Sequence, residues 1–414
     1  MQVTMSVYLS AAMAVIRQAN VMAFTPSLHQ GPLSKSLSRR SLLSRYMTSS
    51  SSSLTQDVKS GVSRLSVLQT LLSKAGAPGA EVCTKPNDLQ PVVDPFTSND
   101  QKILGLHPHL FPIAQSKSNP SYYICALRRA YADDAMYESS SNAPWPIVES
   151  KVQGPGYKLL SLNSEHFMRR IAATADKDDD TTESDQELID TYNADLGTGQ
   201  IDANFDQKYV SGSVSQLGYG TSKYILLRVG PFPDLYQEMA SNHQARNDES
   251  SSLIAAEAAN GKFVGFGSSF FQYAQLLSTF DLRDEEARDA ARMCLRLPLP
   301  SVALEEDDYV KLGYLAGVSD KNAELDVALE SIKSMYDKIK EHEAEDEQGK
   351  ANMTPEQMAI EEANQILDQV VFDGGNRDWN RVRKQLGEIY ASAGLDDMAS
   401  FVDPSRFESA GDFM

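Results

Sequence analysis

The sequence predicts a mainly α protein (α or α+β), with a small irregular or β element in the middle and a C-terminal helical hairpin or three-helix unit. Three observations carry this. Leu325, Leu329, Ile332, Tyr336 and Ile339 alternate spacings of four and three, which places them on one helix face. Thr354-Pro355-Glu356-Gln357 forms a capping box with proline at the first helical position. Gly197, Gly199, Gly212, Gly218 and Gly220 mark turn-rich chain before the short apolar run Lys223–Val229, which reads as either strand or helix.

The elements follow in chain order. Leu54, Val58, Val62, Leu65, Leu68 and Leu72 form a stripe that predicts a helix over 54–73, stopped by Gly76 and Pro78. Residues 76–120 are rich in Pro, Asn, Asp and Ser and read as an irregular connector. A second helix is expected over 120–137 and a loop over 138–156. Residues 158–175 read as a helix or as a strand followed by a helix, and 176–187 as a solvated, flexible acidic run. Helices are expected over 234–243 and 252–260. Phe263 to Phe280 is free of charge, but its serines, glutamines and glycines make it too polar for lipid, so a buried helix is expected. Asp281 is placed to N-cap a helix from Leu282 to Leu295, with Asp284 at the capping-box position. Residues 340–352 read as a charged linker. A helix from Pro355 to about Phe372 is then followed by a turn over 373–376. The last helix carries Trp379, Val382, Leu386, Ile389 and Tyr390 on one face, with Trp379 expected as a buried anchor.

Composition excludes several classes of protein. The chain has 414 residues, 41% apolar and 23% charged, as folded domains do. Its three cysteines, Cys83, Cys125 and Cys294, cannot build a disulfide framework. The net charge of −19 argues against nucleic acid as a partner, because phosphate contacts need a basic surface. The charge is unevenly placed. Residues 1–56 hold Arg17, Lys35, Arg39, Arg40 and Arg45 and no acid, so every carboxylate side chain lies beyond them.

That leader reads as targeting sequence. Val3 to Ile16 is mostly apolar and uncharged, which suits a signal-peptide core and is too short for a settled membrane span. After Ala23 the chain is serine-rich, Arg-bearing and acid-free to Gln56, the composition of transit peptides. The junction Ala23-Phe24-Thr25-Pro26 resembles the cleavage motif of nucleus-encoded plastid precursors in diatoms and related algae. In those precursors a signal peptide precedes a transit peptide that opens with an aromatic residue. The resemblance implies a signal peptide over 1–23, a transit peptide over 24–56 and import into the stroma of a complex, secondary-type plastid. The rest divides into an N-terminal helix with connector and second helix (57–156), a central globular domain (157–318), the C-terminal helical unit (320–402) and a tail (403–414).

Few constellations carry chemistry. Asp176, Asp178, Asp180, Ser184 and Glu187 fall at ligand positions of a calcium-binding helix-loop-helix, which makes them weak metal candidates. Thr181 stands where that loop needs glycine, and Glu183 where an apolar residue anchors it, so a calcium-free loop is expected. His107 and His109 are two imidazoles where zinc needs three or four ligands, so they read as polar loop residues. Gly218-Tyr-Gly220 and Gly265-Phe-Gly267 lack the third glycine of a dinucleotide fingerprint, and Gly261-Lys262 lacks the rest of a phosphate loop. No cofactor is implied. Arg288, Arg292 and Arg296 recur every four residues on one helix and form a candidate partner-binding row. Arg228 joins them as a candidate, with Asp234 beyond a stiff Gly-Pro-Phe-Pro turn as its expected partner, although a plain strand–turn–helix junction of the core is the favoured reading of this stretch.

Two functional classes remain open. The first is a non-catalytic stromal factor that binds or helps assemble other plastid, photosynthetic proteins. The second is a plastid enzyme with a scattered site in residues 157–300. The regular helices, acidic surface and lack of a catalytic motif favour the first. Partners are then other plastid proteins, without an integral membrane span and with peripheral thylakoid contact still open.

Overall fold

The computed structural model describes residues 61–405 apart from 94, 96–102, 104, 131–143, 178–180, 197–204, 206, 346–352 and 375–376. The leader with Ala23 and Phe24, most of the C-terminal tail, Asp178 and Asp180 lie outside the described residues. Fourteen α-helices and one five-stranded sheet are found among the described residues. No helix among them is long and apolar enough to cross a membrane.

Helix α1 (Leu65–Ala75) comes first. The continuous helix expected from residue 54 is broken at Arg64, whose φ of 51° puts it in the left-handed region. The sheet follows as an antiparallel meander: β1 (Leu89–Pro91), β2 (Leu110–Ser116), β3 (Tyr122–Leu127), β4 (Ile147–Lys151) and β5 (Tyr157–Ser161), in spatial order 1-2-3-4-5. This corrects the connector at 76–120, the helix at 120–137 and the loop at 138–156. Side chains on both sheet faces are buried. Phe111, Ile113, Ile124, Ile147 and Leu160 join the main core on one face. Leu110, Tyr123, Cys125, Val148 and Leu159 meet Phe263 and Phe266 on the other. A strand buried on both faces is apolar at every position and so loses the alternating pattern that betrays a strand. Pro112, which normally argues against a strand, sits at a register shift between Pro112 and Ala114 in the pairing of β2 with β3.

Strand β5 leads directly into α2 (Ser164–Ala175), N-capped by Asn163, so residues 158–175 are strand then helix. Gly156 immediately precedes β5 at φ 148°, and a Cβ there would lie 2.0 Å from the Pro300 carbonyl oxygen. Helix α3 (Glu183–Asn193) starts with the capping box Thr182/Asp185. Short α4 (Ser213–Leu217) and α5 (Thr221–Tyr224) run into a π-helical turn, Ile225–Val229, which settles residues 223–229 as helix. The β element therefore lies earlier than the glycine-rich stretch.

Helices α6 (Pro233–Gln244), α7 (Glu249–Lys262), α8 (Ser268–Leu277), α9 (Asp284–Cys294) and α10 (Glu306–Leu315) follow, each packed on the next. The uncharged 263–280 segment is thus a turn followed by a ten-residue helix. Helix α9 starts later than expected. Leu282 takes φ 63° and is 98% exposed, so Asp281 does not cap the helix, and Arg283 occupies the N-cap with its guanidinium on Glu286 at 2.7 Å.

Helices α11 (Leu325–Glu345), α12 (Pro355–Val371), α13 (Asn380–Ser392) and α14 (Asp396–Val402) complete the chain. Helix α11 runs six residues into the expected charged linker, where Lys340 makes an i,i+3 pair with Glu343 at 3.0 Å on the polar face. The Thr354/Gln357 capping box forms as expected. These helices are fastened to the sheet region by buried polar contacts. Trp379, 1% exposed, donates from Nε1 to the Gly154 carbonyl at 3.1 Å. Arg383 donates to the carbonyls of Ile103 and Leu106 at 2.9 Å each and of Val402 at 3.1 Å.

Candidate functional site

The sequence-derived candidates fall into three places. The acidic run is not one solvated loop. Asp176 is 2% exposed and accepts hydrogen bonds from the Tyr209 hydroxyl at 2.8 Å, Gly212 N at 2.8 Å and Val214 N at 3.2 Å, which fixes the start of α4. Its carboxylate is thereby occupied as a helix-anchoring acceptor. Ser184 and Glu187 lie on α3, where Glu187 pairs with Lys74 at 2.9 Å. Among the described residues no three His, Cys, Asp or Glu side chains are grouped to hold a metal ion.

His107 and His109 are not loop polars but core residues, 1% and 7% exposed. His107 meets the Trp379 ring edge-on at 4.8 Å between centroids and the Tyr157 ring at 5.1 Å. His109 Nε2 shares a hydrogen bond with the Tyr390 hydroxyl at 2.9 Å. Burial, assisted by the Arg383 charge, holds the His109 pKa down at about 3, and burial pushes His107 well below its usual range. Both are neutral packing groups that join the sheet to α13. All three cysteines are buried, and burial raises their thiols, which keeps them protonated.

The arginine row on α9 divides. Arg292 donates from Nε to the Ala316 carbonyl at 3.2 Å and so serves the C-terminus of α10. Arg296 is exposed beyond the end of α9. Arg288 alone enters a groove. Its side chain crosses Gly317, where a Cβ would lie 2.8 Å from Nε; Gly317 also has φ 72°, so glycine is needed twice over. Arg228 is exposed on the π-helical turn. The Asp234 carboxylate takes two hydrogen bonds from Arg170 of α2, which also lies over the Phe232 ring at 4.6 Å. Nothing local in the sequence signals that long-range pair.

The groove lies between the end of α8, α9 and α10 and has a volume of about 620 Å³. Arg288, Lys311 and Lys321 supply three cations against one carboxylate, Asp284, with Tyr314 and Leu315 as apolar wall. Tyr314 is 46% exposed. Lys311 pairs with Asp308 at 3.2 Å, whereas neither Arg288 nor Lys321 forms a salt bridge among the described residues. In a chain of net charge −19 this is a local reversal of sign. Sequence reasoning found Arg288 but missed Lys311 and Lys321, which come from the next helix and the loop after it. A second, smaller cavity of about 240 Å³ lies between α6 and α8; its lining carries no carboxylate, imidazole or thiol.

Comparison with known proteins adds a direction. Residues 233–319, which span α6 to α10 and supply the lining of both grooves apart from Lys321, match the PAB middle domain. Residues 332–405, from within α11 to just past α14, match the PAB C-terminal domain. The chain is similar to "Protein IN CHLOROPLAST ATPASE BIOGENESIS, chloroplastic" of Arabidopsis thaliana, 28% identical over 301 residues, which cover 72% of this chain and 78% of that protein. No solved structure matches. The sheet and helices α2 to α5 lie outside both matched domains.

Proposed function

We propose that this chain is a non-catalytic factor of the plastid stroma that helps assemble the chloroplast ATPase, holding an acidic segment of a partner protein in the groove at Arg288. The observation that carries the reading is the sign reversal at that groove. The Arg288 guanidinium and the Lys321 ammonium, neither in a salt bridge among the described residues, stand together beside the exposed Tyr314; Arg288 and Tyr314 lie inside the segment that matches the PAB middle domain and Lys321 just past its end. Guanidinium forks fit carboxylates, and an aromatic with an arginine is the residue pair that most often anchors a protein interface. The name of the Arabidopsis relative supports both the plastid and the ATPase. The acidic remainder of the surface would repel the wrong face of an acidic partner and so orient its approach.

The test is genetic. Deleting the gene should lower the amount of assembled ATPase in plastid extracts resolved on native gels, and the wild-type gene should restore it. A copy carrying Arg288→Glu with Lys321→Glu should not. Normal ATPase in the deletion strain would refute the function, and full rescue by the charge-reversed copy would refute the groove.

A further inference from the structure

The cavity between α6 and α8 differs in kind from the basic groove. Helices α6 and α8 both pack on α7 and are held apart above it, with Ala256 and Ala259 among the groove's lining. The walls carry Gln237 and Gln244 from α6 and Gln272, Gln275 and Thr279 from α8 and the turn after it. Two bridges cross the space: Gln272 Nε2 donates to Gln237 Oε1 at 3.2 Å, and Gln244 Nε2 donates to Thr279 Oγ1 at 2.7 Å. No charged side chain lines it, in a protein where 23% of residues are charged. Gln275 lines this cavity and the basic groove alike, and Ser278 and Thr279, consecutive in sequence, line one each. The two concavities are therefore neighbours that share one wall at the end of α8.

A carboxamide offers one acceptor and two donors, the same kinds of group that a peptide bond offers. A row of carboxamides is suited to the main chain of an extended polypeptide, and poorly suited to an ion, because it supplies no countercharge. The bridges can be exchanged for bonds to main-chain N–H and C=O groups, leaving no polar group unpaired. An α-helix cannot use such a row, since its main-chain groups are already bonded to one another. The basic groove beyond Gln275 then meets side chains rather than main chain.

We infer that the two grooves form one track for an extended polypeptide segment of a partner protein, gripped by its main chain between Gln237, Gln244 and Gln272 and by its carboxylates at Arg288, Lys311 and Lys321. This rests on the docking role proposed above and deepens it. The track selects a segment that is unfolded and acidic at one end, as a subunit presents before assembly and not after.

The test uses a fluorescein-labelled dodecapeptide whose one half is Ser-Gly-Asn-Ser-Gly-Asn and whose other half alternates Glu and Asp, made with the acidic half at either end. Fluorescence anisotropy measures its binding to the full chain. A second version carries N-methyl groups throughout the uncharged half, which removes main-chain donors and leaves the charge intact. N-methylation should weaken binding by about tenfold or more, as expected from loss of two or more hydrogen bonds. The double variant Gln244→Ala/Gln272→Ala should bind both versions equally, at the weak level, with its thermal unfolding unchanged. Arg288→Glu should weaken both versions. Equal binding of the two versions to the wild-type chain, with Arg288→Glu still disruptive, would overturn the main-chain track and leave the acidic docking site standing. Hexaglutamate binding as tightly as the dodecapeptide would overturn the track in the same way. No binding of either version by the wild-type chain would overturn both proposals.

Discussion

Replacing Trp379 by alanine tests whether the C-terminal helices and the sheet region form one cooperative structure. The indole is 1% exposed, lies edge-on to His107 at 4.8 Å and donates to the Gly154 carbonyl at 3.1 Å. Deleting a buried tryptophan of this kind costs about 3–5 kcal/mol through lost burial and the cavity left behind. Its upper part is expected, because the Gly154 carbonyl also loses its donor, a cost of about 1–3 kcal/mol. Trp379→Phe separates the two effects: it keeps most of the ring and loses the N–H, so about 1–3 kcal/mol is expected. The chain has two tryptophans, so either variant leaves Trp145 as the only emitter. Trp145 is 3% exposed and packs against Phe111 of β2 and Phe401 of α14. Urea unfolding followed by Trp145 emission, with far-ultraviolet circular dichroism alongside, should show both signals moving together to lower urea. A Trp145 transition within about 0.5 kcal/mol of the wild type would refute the reasoning, since that is the effect of an ordinary surface change.

The remaining predictions concern charge, backbone and targeting. Asp368 is wholly buried, accepts from Leu299 N at 2.7 Å and the Tyr336 hydroxyl at 3.0 Å, and burial lifts its pKa to about 7. Its folded value lies above the unfolded one, so the stability supplied by its proton is complete below about pH 4 and lost as pH rises through 7. The unfolding midpoint should therefore fall between pH 5 and 8 more steeply in the wild type than in Asp368→Asn, and parallel curves would contradict the assignment. Gly156→Ala forces a Cβ against the Pro300 carbonyl oxygen at 2.0 Å, a backbone atom that no rotamer change can move, and should leave little soluble protein at 37 °C; wild-type yield and melting would show that this approach is not tight. Residues 1–56 fused to a fluorescent protein should enter a diatom-type plastid, with Phe24→Ala stranding the fusion outside the inner membranes; import of that variant would refute the motif. Calorimetry should find no micromolar calcium site at residues 176–187; binding lost in Glu187→Gln would prove the opposite.

What the sequence revealed depended on how local each signal was. The Thr354/Gln357 box, the Leu325–Ile339 stripe and the buried face of Trp379, Val382, Leu386 and Tyr390 are all set within a few turns of one helix, and all appear. The sheet was hidden for a physical reason. Tyr122–Leu127 is apolar throughout because both its faces are covered, and the same run fits a buried helix. His107 and His109 looked polar because their partners, Trp379 and Tyr390, lie more than 250 residues away. The Arg170–Asp234 pair escaped for the same reason, since its partners lie 64 residues apart. At the groove, a four-residue repeat revealed Arg288 on its helix. It did not distinguish Arg288 from Arg292, whose guanidinium is committed to the Ala316 carbonyl.

The most direct test of the docking account is affinity purification of the tagged mature protein from plastids, with wild-type and Arg288→Glu/Lys321→Glu forms compared by quantitative mass spectrometry at matched yield. The account predicts that subunits of the chloroplast ATPase are enriched with the wild-type protein and fall to background with the charge-reversed form, while the two forms melt at the same temperature. ATPase subunits absent from the wild-type sample, or retained undiminished by the charge-reversed form, would contradict it.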